Sequence, residues 1–244
     1  MILDHLGVHH THGKTNCLWC GNSSLSMEDT APHIFQCFKC KASGNAFTYL
    51  RQYYVDLPAI TPAQARSLCA LKKGIKPLTL RDAGVRCFGE RYYIPLFSAN
   101  NELVSLHKYV PDTNIVYNCP KPTSFSLIGM QNFEKAKDTV YIAEGHWDYL
   151  VLLQQMPDDY NLLGCCGSYF PTNMLCHLKD KHVVMPFDND EAGRNGINYV
   201  ARHLKTTGTS VSSLSYLDWS QITLPKGEVG DKFDIRDLHN ALNN

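Results

Sequence analysis

Three groups of carboxylates in the C-terminal half of the chain fall where β-strands should end. Glu144-Gly145 follows the apolar run Val140-Tyr141-Ile142-Ala143, and Asp188-Asn189-Asp190 follows Val183-Val184-Met185-Pro186-Phe187. The third group is Asp234-Ile235-Arg236-Asp237. In an open α/β sheet the C-terminal strand edge is the ligand-binding edge, so side chains there converge. Two charges ~4 Å apart repel by ~4 kcal/mol at an effective dielectric of ~20, so several gathered together require a cation. Mg²⁺, which prefers oxygen ligands and keeps several waters, fits that demand, as does Mn²⁺. A plainer alternative is that Asp188 and Asp190 cap a helix beginning near Ala192, that Asp234 and Asp237 cap another, and that Glu144 sits in a solvated turn.

Sulfur supplies the second chemistry. Cys17-x-x-Cys20 and Cys37-x-x-Cys40 form two knuckles separated by sixteen residues. A two-residue gap turns both thiolates toward one ion, and two knuckles complete a closed four-sulfur zinc shell of structural type. Such an ion would fold a segment too short to hold itself together. His9, His10 and His12 lie upstream and could replace one sulfur, but solvation or phosphate contact suits them better. Trp19, Phe35, Phe38, Lys39 and Lys41 put aromatic and basic side chains around the metal, a surface for stacking on unpaired bases and pairing with phosphates. Phe35 and Phe38 could equally form the module's own small core. The other six cysteines, Cys69, Cys87, Cys119, Cys165, Cys166 and Cys176, read as small core residues.

Composition bounds the rest. With 244 residues, 44% hydrophobic and 19% charged, the chain is of ordinary globular type, long enough for one large domain or two modest ones with a small module. No apolar run approaches the ~18 residues that span a bilayer, so no membrane partner is expected. Met1-Ile2-Leu3-Asp4-His5 lacks the basic start and apolar stretch of a secretory signal, and a cytoplasmic location is expected. Net charge is zero, yet residues 1–130 carry 13 Lys/Arg against 8 Asp/Glu and residues 131–244 carry 10 against 15. That polarity suits an anionic polymer on one half and metal ions on the other, although chance gives the same asymmetry. Gly13-Lys14-Thr15 resembles the end of a phosphate-binding loop, but that loop needs a glycine five residues before Gly13, where Val8 stands. No helicase motor is expected from these residues.

The elements that must position these groups can be read in outline. A turn and a helix run from Ser43 through Tyr54. Residues 56–78, with Pro58, Pro62, Gly74 and Pro77, read as a linker holding a short helix around Ala63–Lys72. Leu80–Cys87 predicts a short helix followed by strands at Tyr92–Phe97 and Leu103–Tyr109. From Thr139 onward strands and helices alternate, the pattern of a parallel α/β unit.

The run Val140–Asp148 followed by Asp188-Asn189-Asp190-Glu191-Ala192-Gly193 resembles the Toprim domain shared by DnaG-type primases, topoisomerases and some nucleases. Gly44-Asn45-Ala46-Phe47 is similar to the Gly-Asn-Ala after the zinc ribbon of bacterial primases, and Tyr93–Lys108 to the primase subdomain with an apolar-Pro-apolar strand. Nearly the whole chain thus resembles a DnaG-type or bacteriophage-type DNA primase. The resemblance implies an α/β fold with a mostly parallel Toprim sheet, a β-rich subdomain and an N-terminal β zinc ribbon. It divides the chain into a ribbon at 1–50, a helical linker at 51–78, a β-rich part of the RNA polymerase domain at 79–138 and a Toprim catalytic domain at 139–244.

Carried over, Glu144 is the motif glutamate, Asp188 and Asp190 the metal pair, Asp148 the helix-borne catalytic acid, and Asp234 and Asp237 the last acidic motif, counted with Glu144, Asp188 and Asp190 among the Mg²⁺ or Mn²⁺ ligands. Lys108 leads the candidates for phosphate contact, with Arg81, Arg86, Arg91 and Lys121 behind it. The implied activity is RNA primer synthesis from ribonucleoside triphosphates on single-stranded DNA, with structural Zn²⁺ and catalytic Mg²⁺ or Mn²⁺. The implied partner is a separate replicative helicase, and the implied origin a bacterial cell, phage or plasmid. Arg236 departs from the Asp or Asn of many primases, which puts the number of metal ions in doubt. Gly164-Cys165-Cys166-Gly167 departs from the usual Gly-Thr. Two alternatives stand beside synthesis: a DNA-binding recombination mediator of the RecR kind, which lacks the full acidic set, and a Toprim nuclease using the same metals.

Overall fold

In the computed structural model, which describes residues 2–30, 33–119, 126–167, 169–225 and 227–243, the chain divides into two units. The first comprises Met1–Gln64, Arg81–Leu96 and Glu102–Ser124, and the second Ala65–Leu80, Phe97–Asn101 and Phe125–Asn244.

The first unit opens with helix α1 (Ile2–Leu6) and a ribbon of four short strands, β1 (Lys14–Thr15), β2 (Leu25–Met27), β3 (Phe35–Cys37) and β4 (Ser43–Gly44). They pair antiparallel in the order β1-β2-β3-β4. The two cysteine knuckles repeat one backbone pattern. Gly21 N–H donates to Cys17 C=O at 2.8 Å and Lys41 N–H to Cys37 C=O at 3.0 Å, while Cys17 and Cys37 N–H return to Asn22 and Ala42 C=O. The residue after each second cysteine is left-handed, φ 71° at Gly21 and 65° at Lys41. Glycine adopts that conformation freely, whereas Lys41 holds it at a steric cost. Asn45 then caps helix α2 (Ala46–Asp56), its Oδ1 accepting from the N–H of Phe47 and Thr48.

Phe35 and Tyr49 are buried and meet edge to face at 5.8 Å, with Trp19 stacked on Phe35 at 5.1 Å. This is the ribbon's core. Of the two phenylalanines read as either core or base-stacking residues, Phe35 is in the core and Phe38 is 61% exposed. Alternation explains the split, because β3 buries Phe35 and Cys37 and ends before Phe38.

A second sheet in this unit has the order β5-β6-β7-β8, from β5 (Arg86–Phe88), β6 (Arg91–Phe97), β7 (Leu103–Val110) and β8 (Ile115–Cys119). The β8 strand was not expected. Its signal lay in Asn114, which takes φ 52° after Pro111–Thr113 and reverses the chain into a β-branched pair, Ile115-Val116. Tyr53 and Tyr93 hydroxyls both donate to the Leu6 carbonyl, tying α1 to α2 and β6.

Helix α3 (Pro62–Leu71) begins with a capping box: Thr61 N–H donates to Gln64 Oε1 at 3.0 Å and Gln64 N–H to Thr61 Oγ1 at 3.3 Å, with Pro62 at the first helical position. Helix α4 spans Pro77–Asp82, so the helix expected from Leu80 starts three residues earlier, where Pro77 pre-sets φ. The segment before α4 is pinned within the second unit by Gln154, which accepts from Lys76 N–H and Thr79 Oγ1 and donates to Gly74 C=O.

The second unit's sheet is parallel throughout, in the order β10-β9-β11-β12, from β9 (Thr139–Ala143), β10 (Asn161–Gly164), β11 (His182–Met185) and β12 (Ser213–Tyr216). Helices α5 (His146–Leu153), α6 (Glu191–Thr207) and α7 (Ile235–Asn243) complete it. Val140, Ile142, Leu163, Val183, Met185 and Phe187 from the strands pack with Val200 and Leu204 of α6. Each such apolar side chain contributes roughly 1.5–3 kcal/mol on burial. Among the described residues no helix is long and apolar enough to cross a membrane.

Candidate active site

Register places the first two carboxylates. Strands β9 and β11 are parallel neighbours with Thr139 beside His182 and Val140 beside Val183, so both end on one edge of the sheet. Glu144 follows β9 directly and Asp188 lies three residues beyond β11. Asp188 N–H donates to Glu144 Oε2 at 3.0 Å. Trp219 Nε1 donates to the Phe187 carbonyl at 2.8 Å and fixes the turn that carries Asp188.

The other acids come from helix starts. Asp148 lies in the first turn of α5. Asp190 caps α6, its Oδ1 accepting from Gly193 N–H at 2.8 Å. Asp234 and Asp237 form a reciprocal cap on α7: Asp237 N–H donates to Asp234 Oδ1 at 2.8 Å and Asp234 N–H to Asp237 Oδ2 at 3.4 Å. Capping and convergence thus coexist, since backbone hydrogen bonds engage one oxygen of a carboxylate and leave the other. Backbone pairing of Asn189 N–H with Phe233 C=O and of Lys232 N–H with Asn189 C=O brings the Asp234 loop beside the Asp188 turn. That role of Asn189 had no signal in its residue type.

Arg236 reaches into the group. Its Nη2 pairs with Asp234 Oδ2, and its Nε stands 3.6 Å from Asp148 Oδ1. Lys72, not foreseen, lies over the Trp147 ring at 5.1 Å, within electrostatic reach of Asp234 and Arg236.

Residues 141–222 match a family model described as Toprim-like. The primase fragment of the bacteriophage T7 primase-helicase protein is similar over 97% of both chains, at TM-score 0.52 and 17% identity. A DnaG catalytic core is similar over 80% of this chain and 76% of that one, at TM-score 0.59 and 13% identity. The chain has the fold of a DnaG-type primase. In sequence it is 26% identical to the uncharacterized MG010 homolog of Mycoplasma pneumoniae, over 58% of this chain and 72% of that protein. On this fold the Toprim-like match carries Glu144, Asp148, Asp188 and Asp190, Asp234 and Asp237 lie beyond its end, and the four-cysteine ribbon precedes it.

Both metal sets suit their ions. A tetrahedral zinc with Zn–S of ~2.3 Å requires sulfurs ~3.8 Å apart. The Sγ atoms of Cys17 and Cys40 are 3.7 Å apart, those of Cys20 and Cys37 3.8 Å, and all four lie within 4.8 Å of one another. Hydrogen bonds from Ser24 Oγ and the Cys40 N–H lower the pKa of the Cys37 thiol, whereas burial pushes the Cys17 thiol up.

At the acidic cluster, Asp188 Oδ1 is buried with no hydrogen-bond partner among the described residues, a cost that a bound cation would remove. Burial, then the charges of Asp148, Glu144, Asp234 and Asp190, push Asp188 up to about 8. Burial and Asp234 push Asp148 up to about 7 against the pull of Arg236. Burial also raises Glu144, opposed by the Asp188 N–H and reinforced by Asp190. His146 is buried and pushed down to about 3, so it is neutral at physiological pH and is no phosphate clamp.

The sign of the pH effect follows. Asp148 and Asp188 hold protons more tightly folded than unfolded, so their stabilisation is complete below the ordinary carboxylate range and is lost as pH rises through about 7 and about 8. The metal-free protein should therefore melt at a lower temperature at about pH 8 than at about pH 5.5, and Mn²⁺ should raise the melting temperature more at the higher pH. Scanning calorimetry with and without Mn²⁺ checks both trends; a metal shift independent of pH would contradict the assigned charges.

Gly193 is fixed by contact. A Cβ there would lie 2.3 Å from the Asp188 carbonyl oxygen and 3.1 Å from Glu144 Oε2. Gly193→Ala should cost ~1–3 kcal/mol by overpacking and displace Asp188, weakening Mn²⁺ affinity about tenfold. Thermal melting and a Mn²⁺ titration read the two effects, and parental values in both would show that the turn yields freely.

The basic candidates Lys108, Arg81, Arg86 and Arg91 belong to the first unit. Lys108 is buried on β7, its pKa lowered by burial and then by Arg91, and Arg91 Nη1 donates to the Gly7 carbonyl at 3.4 Å. Arg86 stacks on Tyr54 at 4.7 Å and donates to Leu57 C=O, a structural engagement. Arg81 is exposed, 3.6 Å from Asp82. Lys39 and Lys41 are exposed on either side of Cys40, and Trp19, stacked on Phe35, is 39% exposed. Lys121 lies outside the described residues.

Proposed function

We propose that the protein is a DNA primase that synthesises short RNA primers on single-stranded DNA by metal-dependent nucleotidyl transfer. The observation that carries this reading is the meeting of Glu144, Asp148, Asp188, Asp190 and Asp234 at one edge of a parallel sheet, in a chain with a primase fold. Glu144, Asp188 and Asp190 would hold Mg²⁺ or Mn²⁺, with Asp148, Asp234 and Asp237 completing the charged surround. The bound ion would neutralise the triphosphate and lower the pKa of the attacking 3′ hydroxyl.

The chain's own side chains do the rest. Glu144 Oε2 accepts the Asp188 N–H and fixes the spacing of the two carboxylates. Lys108 is the leading candidate to supply positive charge for phosphates, with Arg81, Arg86, Arg91 and Lys121 behind it. Trp19, Phe38, Lys39 and Lys41 offer aromatic faces and cations to unpaired template bases. Cys17, Cys20, Cys37 and Cys40 bind a structural zinc that holds this surface together. A replicative helicase is the proposed partner, in keeping with the origin of the T7 fragment in a primase-helicase protein. A phage or plasmid origin and a cytoplasmic site of action accord with that role.

Incubating the protein with labelled ATP, the other ribonucleotides, Mn²⁺ and a panel of single-stranded templates tests the reading. Template-dependent oligonucleotides of a few residues are expected. Cleavage of the DNA without primer product would assign the site to a nuclease instead.

A further inference from the structure

The charge within the acidic cluster is unevenly met. On one side, Asp148 and Asp234, each with its side chain 9% exposed, face a single guanidinium. Asp234 has both oxygens engaged, Oδ2 by Arg236 and Oδ1 by the Asp237 N–H. Lys72 adds a second positive charge within reach of Asp234. Asp148 Oδ1 meets Arg236 Nε as an ion pair at 3.6 Å without a hydrogen bond, whereas on the other side Asp188 Oδ1 has neither a hydrogen-bond nor an ion-pair partner among the described residues. There Glu144 and Asp190 each use a named oxygen for one backbone N–H, which leaves lone-pair capacity on both carboxylates.

We propose that the Arg236 guanidinium is a fixed cation of the cluster, standing where a second divalent ion would otherwise bind and leaving one exchangeable metal site at Glu144, Asp188 and Asp190. The inference rests on the proposed function and specifies its metal site. Arginine stays charged at any physiological pH and presents several donors in one plane, so it can serve two carboxylates at once. Displacing it by a divalent ion would leave a guanidinium, 26% exposed, without its counter-charges, and removing one partner of a buried pair is strongly unfavourable. The Asp148–Asp234 side is therefore closed to exchange, and a second metal cannot bind without expelling the side chain.

The test counts ions. Mn²⁺ bound to the full chain, without nucleotide or template, is measured by electron paramagnetic resonance of the free ion and by calorimetry. Wild type and Arg236→Lys should each bind one ion and Arg236→Asp two, with melting curves reporting the folding of every sample. Two ions on wild type or on Arg236→Lys would overturn the inference while leaving the metal-site reading intact, whether or not Arg236→Asp folds. A folded Arg236→Asp that still binds one ion also overturns it, and no ion on wild type overturns both. Primer synthesis on the same samples is a separate readout, so loss of activity with the expected counts would challenge the proposed function alone.

Discussion

Glu144→Gln and Asp188→Asn each reduce primer synthesis by ~10²–10³-fold or more, the scale set by removing one preorganised electrostatic contact. Neither change should unfold the protein. In Glu144→Gln the side-chain amide would still offer an oxygen to the Asp188 N–H, and Asp188→Asn removes a charge from a turn where burial and four neighbouring carboxylates already oppose ionisation. The metal-free Asp188→Asn protein should accordingly melt higher than wild type at neutral pH and lose most of the stabilisation that Mn²⁺ gives. Labelled-primer yield and melting curves check the pair of effects. If Asp188→Asn kept activity within tenfold of wild type, the ion would have to be held elsewhere.

Zinc removal should have the second large effect, confined at first to the ribbon. Strands of two or three residues bury too little to stand alone, and a four-sulfur zinc shell is worth roughly 10–16 kcal/mol in small peptides. Cys37→Ser should release the ion, unstack Trp19 from Phe35 and expose Tyr49. The buried cluster of the second unit draws on no ribbon residue and should persist. Template selectivity should be lost while nucleotide binding to the acidic unit is retained, measured by primer yield across templates and by a nucleotide titration. Equal loss of both would mean that the ribbon and the acidic unit do not divide the work.

Much of this was legible from residue types because the chemistry is local. Two Cys-x-x-Cys knuckles declare a zinc shell, since four thiolates at that spacing have few other uses. The helices after Ser43 and around Ala63 were legible from turn residues and proline punctuation, and the structure adds their caps, Asn45 before α2 and the Thr61–Gln64 box before α3. The alternation after Thr139 announced a parallel sheet, and hence that acids after β9 and β11 would share an edge. The β8 strand escaped because five residues after an irregular turn carry a weak pattern, and pairing with β7 supplies what propensity does not. Phe38 could not be told from Phe35 until the end of β3 was fixed.

Sequence by itself determined which residues have the ligand types that suit zinc or a divalent ion and which strand ends carry the acids, because ligand type and strand periodicity are properties of neighbouring residues. Only the tertiary structure decided how those acids divide. Register between β9 and β11 set Glu144 against the Asp188 N–H, the Asn189 backbone drew in the Asp234 loop, and Arg236 took Asp148 and Asp234 for itself. Apart from the local Arg236–Asp234 pair, those outcomes depend on distances between residues some 40 to 90 positions apart, and electrostatic energies change steeply over a few ångströms of separation.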